Sequence, residues 1–182
     1  MGWLQPKNVA VVAVFVSLSV ATNYSLLGLP NVKLMDLLAF TSGVCFGCLV
    51  GSLVGALSWV IYGLANPYGF CLPIWLATIL CETIYGFAGG LVKHFRVVPE
   101  DLNPSLGREL PLLGGKFALI GFLATLAYDL ATNMAFALTF RISPLIALIQ
   151  GVPFAVVHEL SNTLLFFSLA PAAVLTVRRF WK

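Results

Sequence analysis

Between Thr125 and Asn162 the chain reads TLAYDLATNMAFALTFRISPLIALIQGVPFAVVHELSN. Asp129, Thr132 and Asn133 fall within one apolar stretch, and His158, Glu159, Ser161 and Asn162 fall within the next. Residues three or four apart share a helix face, so each stretch presents its polar groups together. A charge inside a membrane span costs about 2.5–3.5 kcal/mol on insertion scales. Residues kept at that cost line pathways or binding cavities. The bland alternative is a set of internal pairs, such as Asp129 with His158, that staple a helical bundle.

These residue types admit several chemistries. His158 with Asp129, Glu82 or Glu159 has the atoms for a metal site, but no tight HxxH or HExxH spacing supports one. Ser161 lacks the GxSxG setting of an activated serine. A paired-aspartate transferase is not visible, since Asp129 is the only Asp of the cluster. Proton-coupled transport fits the carboxylates, yet no internal repeat joins two halves of the chain. A small-molecule cavity accounts for most of the residues. The expectation is a binding protein rather than an enzyme, with no cofactor and no metal. An intramembrane enzyme built on Asp129 and His158, and a free-standing proton-coupled carrier, are the alternatives.

The elements that position these residues follow from composition. Of 182 residues, 60% are hydrophobic and 9% charged, with a mean hydropathy of +0.98. That leaves too little polar surface to face water. The apolar runs are continuous rather than alternating, which argues for helices over a barrel. The expectation is one all-α transmembrane domain over residues 1–182. The net charge of +3 is small. Most basic residues sit at span ends, so charge speaks of topology and not of nucleic acid.

In chain order, Lys7 precedes an apolar run over about 9–29. A signal peptide is one reading, with Ser19 and Ala21 before the cleavage point. A retained helix is preferred, because the run continues past Ala21. Ala13, Ser17 and Ala21 recur every four residues and make a small-residue face for close helix approach, within the chain or with a partner. The next run, 34–64, would be about 45 Å long as one helix, beyond a hydrocarbon core of about 30 Å. Gly43, Gly47, Gly51 and Gly55 recur through it. Splitting it into helices at about 34–46 and 48–64 gives six spans. Lys7, Lys93, Arg96, Arg108, Lys116, Arg178, Arg179 and Lys182 then share one side, leaving Lys33 and Arg141 for the other. The positive-inside rule favours this, with both termini cytoplasmic.

Asn66-Pro67-Tyr68-Gly69 has turn chemistry and reads as an outer loop. The fourth span, about 73–92, carries Trp75, Thr78, Glu82 and Tyr85 on one face. Residues 93–116 form the long polar segment, with a short interfacial helix after Asn103 or Ser105. Gly115-Lys116 is followed by Phe117, so it is no Walker A motif. The fifth span covers about 112–140. The sixth begins near Gly151-Val152-Pro153, with Pro153 in its first turn and Pro171 as a kink. Cys45 and Cys48 form a CxxC without further ligands nearby, which favours packing over zinc. In this topology Asn23, Tyr24, Asn66, Tyr68, Glu82, Asp129, Thr132, Asn133, His158 and Asn162 come to similar depth in the outer half.

With these features the chain resembles the S component of energy-coupling factor (ECF) transporters. The resemblance rests on the size and six-helix plan, on DLLAFTSGVCFGCLVGSLVGALSWVIYGLANPYG from Asp36, and on DLATNMAF and GVPFAVVHELSN. It implies a subunit in a prokaryotic plasma membrane that captures a vitamin or related micronutrient from outside. It implies a transmembrane coupling subunit and two ATPase subunits as partners. Ala13, Ser17 and Ala21 stand where the family's coupling-subunit contact lies, with Ser17 departing from an all-alanine pattern. Metal-specific members carry a histidine after the initiator, and Met1-Gly2-Trp3 does not match them. From their shared depth and faces, the candidate binding set is Asn66, Tyr68, Trp75, Glu82, Asp129, Thr132, Asn133, His158, Glu159 and Asn162. Glu82, Asp129 and Glu159 surround one imidazole, with Lys33 and Arg141 at the rim. This predicts a neutral or cationic, nitrogen-containing ligand, with Trp75 or Tyr68 stacking on it.

Overall fold

The computed structural model describes residues 5–67, 69–99 and 109–181. They fold into seven helices: α1 (Pro6–Ser25), α2 (Met35–Phe46), α3 (Cys48–Leu64), α4 (Leu72–His94), α5 (Glu109–Phe140), α6 (Pro144–Ser168) and α7 (Ala170–Phe180). Leucines lie exposed around the outside, among them Leu80, Leu119, Leu138 and Leu164, each at least 60% accessible. Such a surface needs lipid rather than water. Helices α1, α4, α5 and α6 are long and apolar enough to cross a membrane, and α2 and α3 are shorter apolar helices. The protein is a multi-pass membrane protein.

Gly47 separates α2 from α3, as the sequence predicts. Its φ of +104° is strained for residues with a Cβ and accessible to glycine. Gly43 and Gly51, eight residues apart, lie against each other. In a continuous helix they would stand about 12 Å apart, so the chain doubles back at Gly47. Helix α4 packs on this hairpin through Gly86 and Gly90. A Cβ on Gly86 would run into the backbone of Gly51, and one on Gly90 into Cys48. Backbones come this close only where side chains are missing.

Helix α2 is the interior of the bundle. Phe40 packs edge-on against Phe117 at 5.1 Å and tilted against Phe166 at 4.9 Å. At one end, Lys7 lies over the ring of Trp181 at 4.9 Å, and Trp181 meets Phe46. Lys93 Nζ donates to the Cys45 carbonyl at 3.0 Å, satisfying an orphan acceptor at the α2 C-terminus. At the other end, Tyr24 Oη donates to the Ala65 carbonyl at 2.8 Å. Asn31 Nδ2 there donates to the Phe154 carbonyl at 2.8 Å.

One proline assignment changes. Pro153 lies inside α6, not in its first turn. Pro144 takes the start instead, where its missing N–H costs nothing. Pro171 marks a one-residue interruption: α6 ends at Ser168, Leu169 stays in helical conformation with its N–H on the Leu165 carbonyl at 2.8 Å, and α7 starts at Ala170 with the proline in its first turn. The helix expected after Asn103 or Ser105 lies outside the described residues.

Candidate functional site

At the end marked by Tyr24 and Ala65, the helices splay around a cavity of about 570 Å³. Its polar wall comprises Asn23 from α1, Lys33 from the α1–α2 loop, Thr78 from α4, and Asp129, Thr132 and Asn133 from α5. Trp59, Tyr62 and Tyr128 supply aromatic wall, while Asn66 and Gln150 add amides. The volume suits a small organic molecule, whose sites span about 300–1,000 Å³. An adjoining cavity of about 390 Å³ shares Trp59, Asn66, Thr78 and Phe136 and is lined further by Trp75. Gly151 makes room for Asn133, since a Cβ there would run into its side-chain oxygen.

Beneath the cavity lies a closed polar network. His158 Nδ1 is 2.9 Å from Asp129 Oδ1, and Nε2 is 2.7 Å from Asp36 Oδ2. A ring with a proton on each nitrogen donates to both carboxylates at once; a neutral ring donates to one. Asn162 Nδ2 donates to Asp36 Oδ2 at 2.7 Å and to Thr125 Oγ1 at 2.8 Å. Tyr85 Oη donates to Thr125 Oγ1 at 3.2 Å. His158, Asn162, Asp36 and Thr125 are fully buried. The network ties α2, α4, α5 and α6 together and aims Asp129 at the cavity.

The predicted binding residues therefore divide. Asn66, Asp129, Thr132 and Asn133 line the main cavity. Trp75 lines the adjoining one, where its Nε1 donates to the Trp59 carbonyl at 3.1 Å. Glu82, His158 and Asn162 are brought to the same region but sit behind the wall, fully buried. Half-buried Glu159 lines neither cavity, because it follows His158 in the helix and so points about 100° away from it. Tyr68 lies outside the described residues. Ala13, Ser17 and Ala21 are all exposed on the outer face of α1.

Asp36, Tyr128 and Trp59 escaped the sequence reading, and Lys33 was assigned only to the rim. Lys33 lines the cavity, with Nζ 5.1 Å from the centre of the Tyr128 ring and 5.4 Å from that of Trp59. The cavity lining thus carries Lys33 and Asp129 as its charged residues, while Asp36, Glu82 and His158 stand behind the wall. The spacing of Lys33 and Asp36, one helical turn apart at the start of an apolar run, was the available signal. Among the described residues no cluster suits a metal ion, and both His158 nitrogens already face carboxylates.

Comparison with protein-family models, curated proteins and solved structures finds no match to this chain.

Proposed function

We propose that this chain is the substrate-binding subunit of an ECF-type importer, taking a vitamin-like micronutrient from outside a prokaryotic cell. The observation that carries the reading is the cavity itself. It opens at one end of a lipid-facing bundle and combines aromatic walls, amides and one charge of each sign. Six crossings fit the alternation of helices between the two ends, with the α2–α3 hairpin supplying two of them. Lys7, Lys93, Arg178 and Arg179 gather at the end away from the cavity, which fits cytoplasmic termini and an outward-opening site. On this reading energy comes from a coupling subunit and two ATPase subunits; the sequence itself shows no Walker A motif. The exposed small residues of α1 offer a docking face, continued by a groove of about 430 Å³ against α3 that includes Ala13 and Ser17.

An enzyme has less support. Ser161 Oγ donates to the His158 carbonyl within its own helix at 3.1 Å, and the imidazole has no nitrogen left to activate it. The Asp36–His158–Asp129 chain is the one observation that favours a proton-coupled carrier. Reconstitution into vesicles separates the readings. The importer reading expects binding by the chain alone and uptake only with partner subunits and ATP. Uptake by the chain alone, driven by a proton gradient, would establish the carrier instead.

A further inference from the structure

The cavity's polar groups are unequally used, and the pattern specifies the charge of what fits. This inference rests on the cavity being a binding site. On the acceptor side, Asp129 is only 8% exposed; its Oδ1 is taken by His158, while its Oδ2 has no donor. Asn23, 5% exposed, has a buried Oδ1 without a donor. Asn133 spends an amide N–H on the Asp129 carbonyl at 2.8 Å, which leaves its oxygen to accept. Asn23 from α1 and Asp129 and Asn133 from α5 thus bring acceptors to the cavity lining. A buried acceptor left unmet costs about 1–3 kcal/mol; N–H donors on a ligand remove that cost once Asp129 and Asn23 turn these oxygens, now closed to solvent, toward the cavity.

On the donor side stands Lys33. Its ammonium rests over two aromatic rings, and no carboxylate among the described residues forms an ion pair with it. The ring faces hold the cation in place but accept none of its hydrogen bonds in the way an anion does. A carboxylate or phosphate completes it with a charge-assisted bond.

We infer that the cavity takes an amphoteric small molecule, its acidic group on Lys33 and its N–H donors on Asp129, Asn23 and Asn133. This reverses the neutral or cationic ligand expected from sequence. Zwitterions and acid-bearing nitrogen heterocycles belong to the class. Simple amines and uncharged aromatics do not.

The test uses the full chain in lipid nanodiscs, stripped of bound molecules and then equilibrated with an aqueous metabolite extract of the bacterial expression host. Retained compounds are identified by mass spectrometry. The expected result is a compound with both an acidic group and N–H donors. Lys33→Gln should lower its retention about 10- to 100-fold, the worth of a hydrogen bond to a charged group. Lys33→Arg, which keeps the charge, should stay within several-fold of wild type, and both variants should match its melting temperature. A retained compound without an acidic group, or equal retention by Lys33→Gln, overturns the inference while leaving the site intact. If wild type retains nothing, the binding reading falls, and the inference with it.

Discussion

The indole N–H of Trp59 donates to Glu82 Oε2 at 2.8 Å across the α3–α4 interface. Trp59 forms cavity wall, and Glu82 is wholly buried behind it. Glu82 is a positioning residue, acting through the ring it holds. Glu82→Gln keeps an acceptor for the indole and should leave ligand affinity within about threefold. Glu82→Leu removes the acceptor and should weaken affinity about 3- to 10-fold, the worth of one hydrogen bond. Calorimetric titration checks both; equal effects of the two substitutions would refute the role.

His158 bridges carboxylates from α2 and α5. His158→Ala leaves Asp36 and Asp129 buried without their shared partner, a change that costs about 3–5 kcal/mol in buried pairs. The expected outcome is a marked loss of thermal stability in detergent. Adding Asp129→Asn should recover part of it, because one uncompensated charge is removed. A double variant as unstable as the sum of the two singles would contradict the pairing.

Gly86 and Gly51 bring two helix backbones into contact. Gly86→Ala should cost at least about 1–3 kcal/mol, as overpacking does where backbone cannot move aside. Gly115 meets nothing within 4 Å of an added Cβ, and Gly115→Ala should be neutral or stabilising by up to about 1 kcal/mol. Melting temperatures of the pair decide.

Ala13 and Ser17 face outward, so enlarging them should leave the bundle undisturbed. If the proposed importer reading holds, Ala13→Leu and Ser17→Leu reduce co-purification with a coupling subunit at nearly unchanged ligand affinity. Lost ligand binding with preserved assembly would mean that the stripe serves the bundle instead.

Topology is read by labelling single cysteines in a Cys-free background. Leu29 and Phe180, 55% and 82% exposed, lie at opposite ends. Leu29→Cys should react from outside the cell and Phe180→Cys from inside. Labelling of both from one side would refute the arrangement.

Much of the frame was legible because its signals are local. The split at Gly47 follows from a run too long for one crossing, and Trp75, Thr78, Glu82 and Tyr85 do share an inward face. The interior of the site was harder. Asp36 and His158 are 122 positions apart, and nothing in either neighbourhood announces the other. Their meeting depends on how α2 sits inside the ring of other helices. Lys33 was misread for a related reason: a lysine at the end of an apolar run looks like a marker of the membrane boundary. The start of α6 was misplaced because two prolines, Pro144 and Pro153, each resemble a first-turn residue, and local sequence does not rank them.

Helix α2 has only 12 residues, about 18 Å of rise, against a hydrocarbon core of about 30 Å. The stretch that leads into α2, from Leu26 to Leu34, is non-helical. Irregular backbone survives at membrane depth only where protein covers it or water reaches it. Nearly all of this stretch, from Leu26 to Lys33 apart from Gly28, borders the cavity. The hollow therefore sets open space, rather than packed protein, beside that segment. Lengthening α2 by a turn would close the hollow and withdraw Lys33 from its place over the two rings.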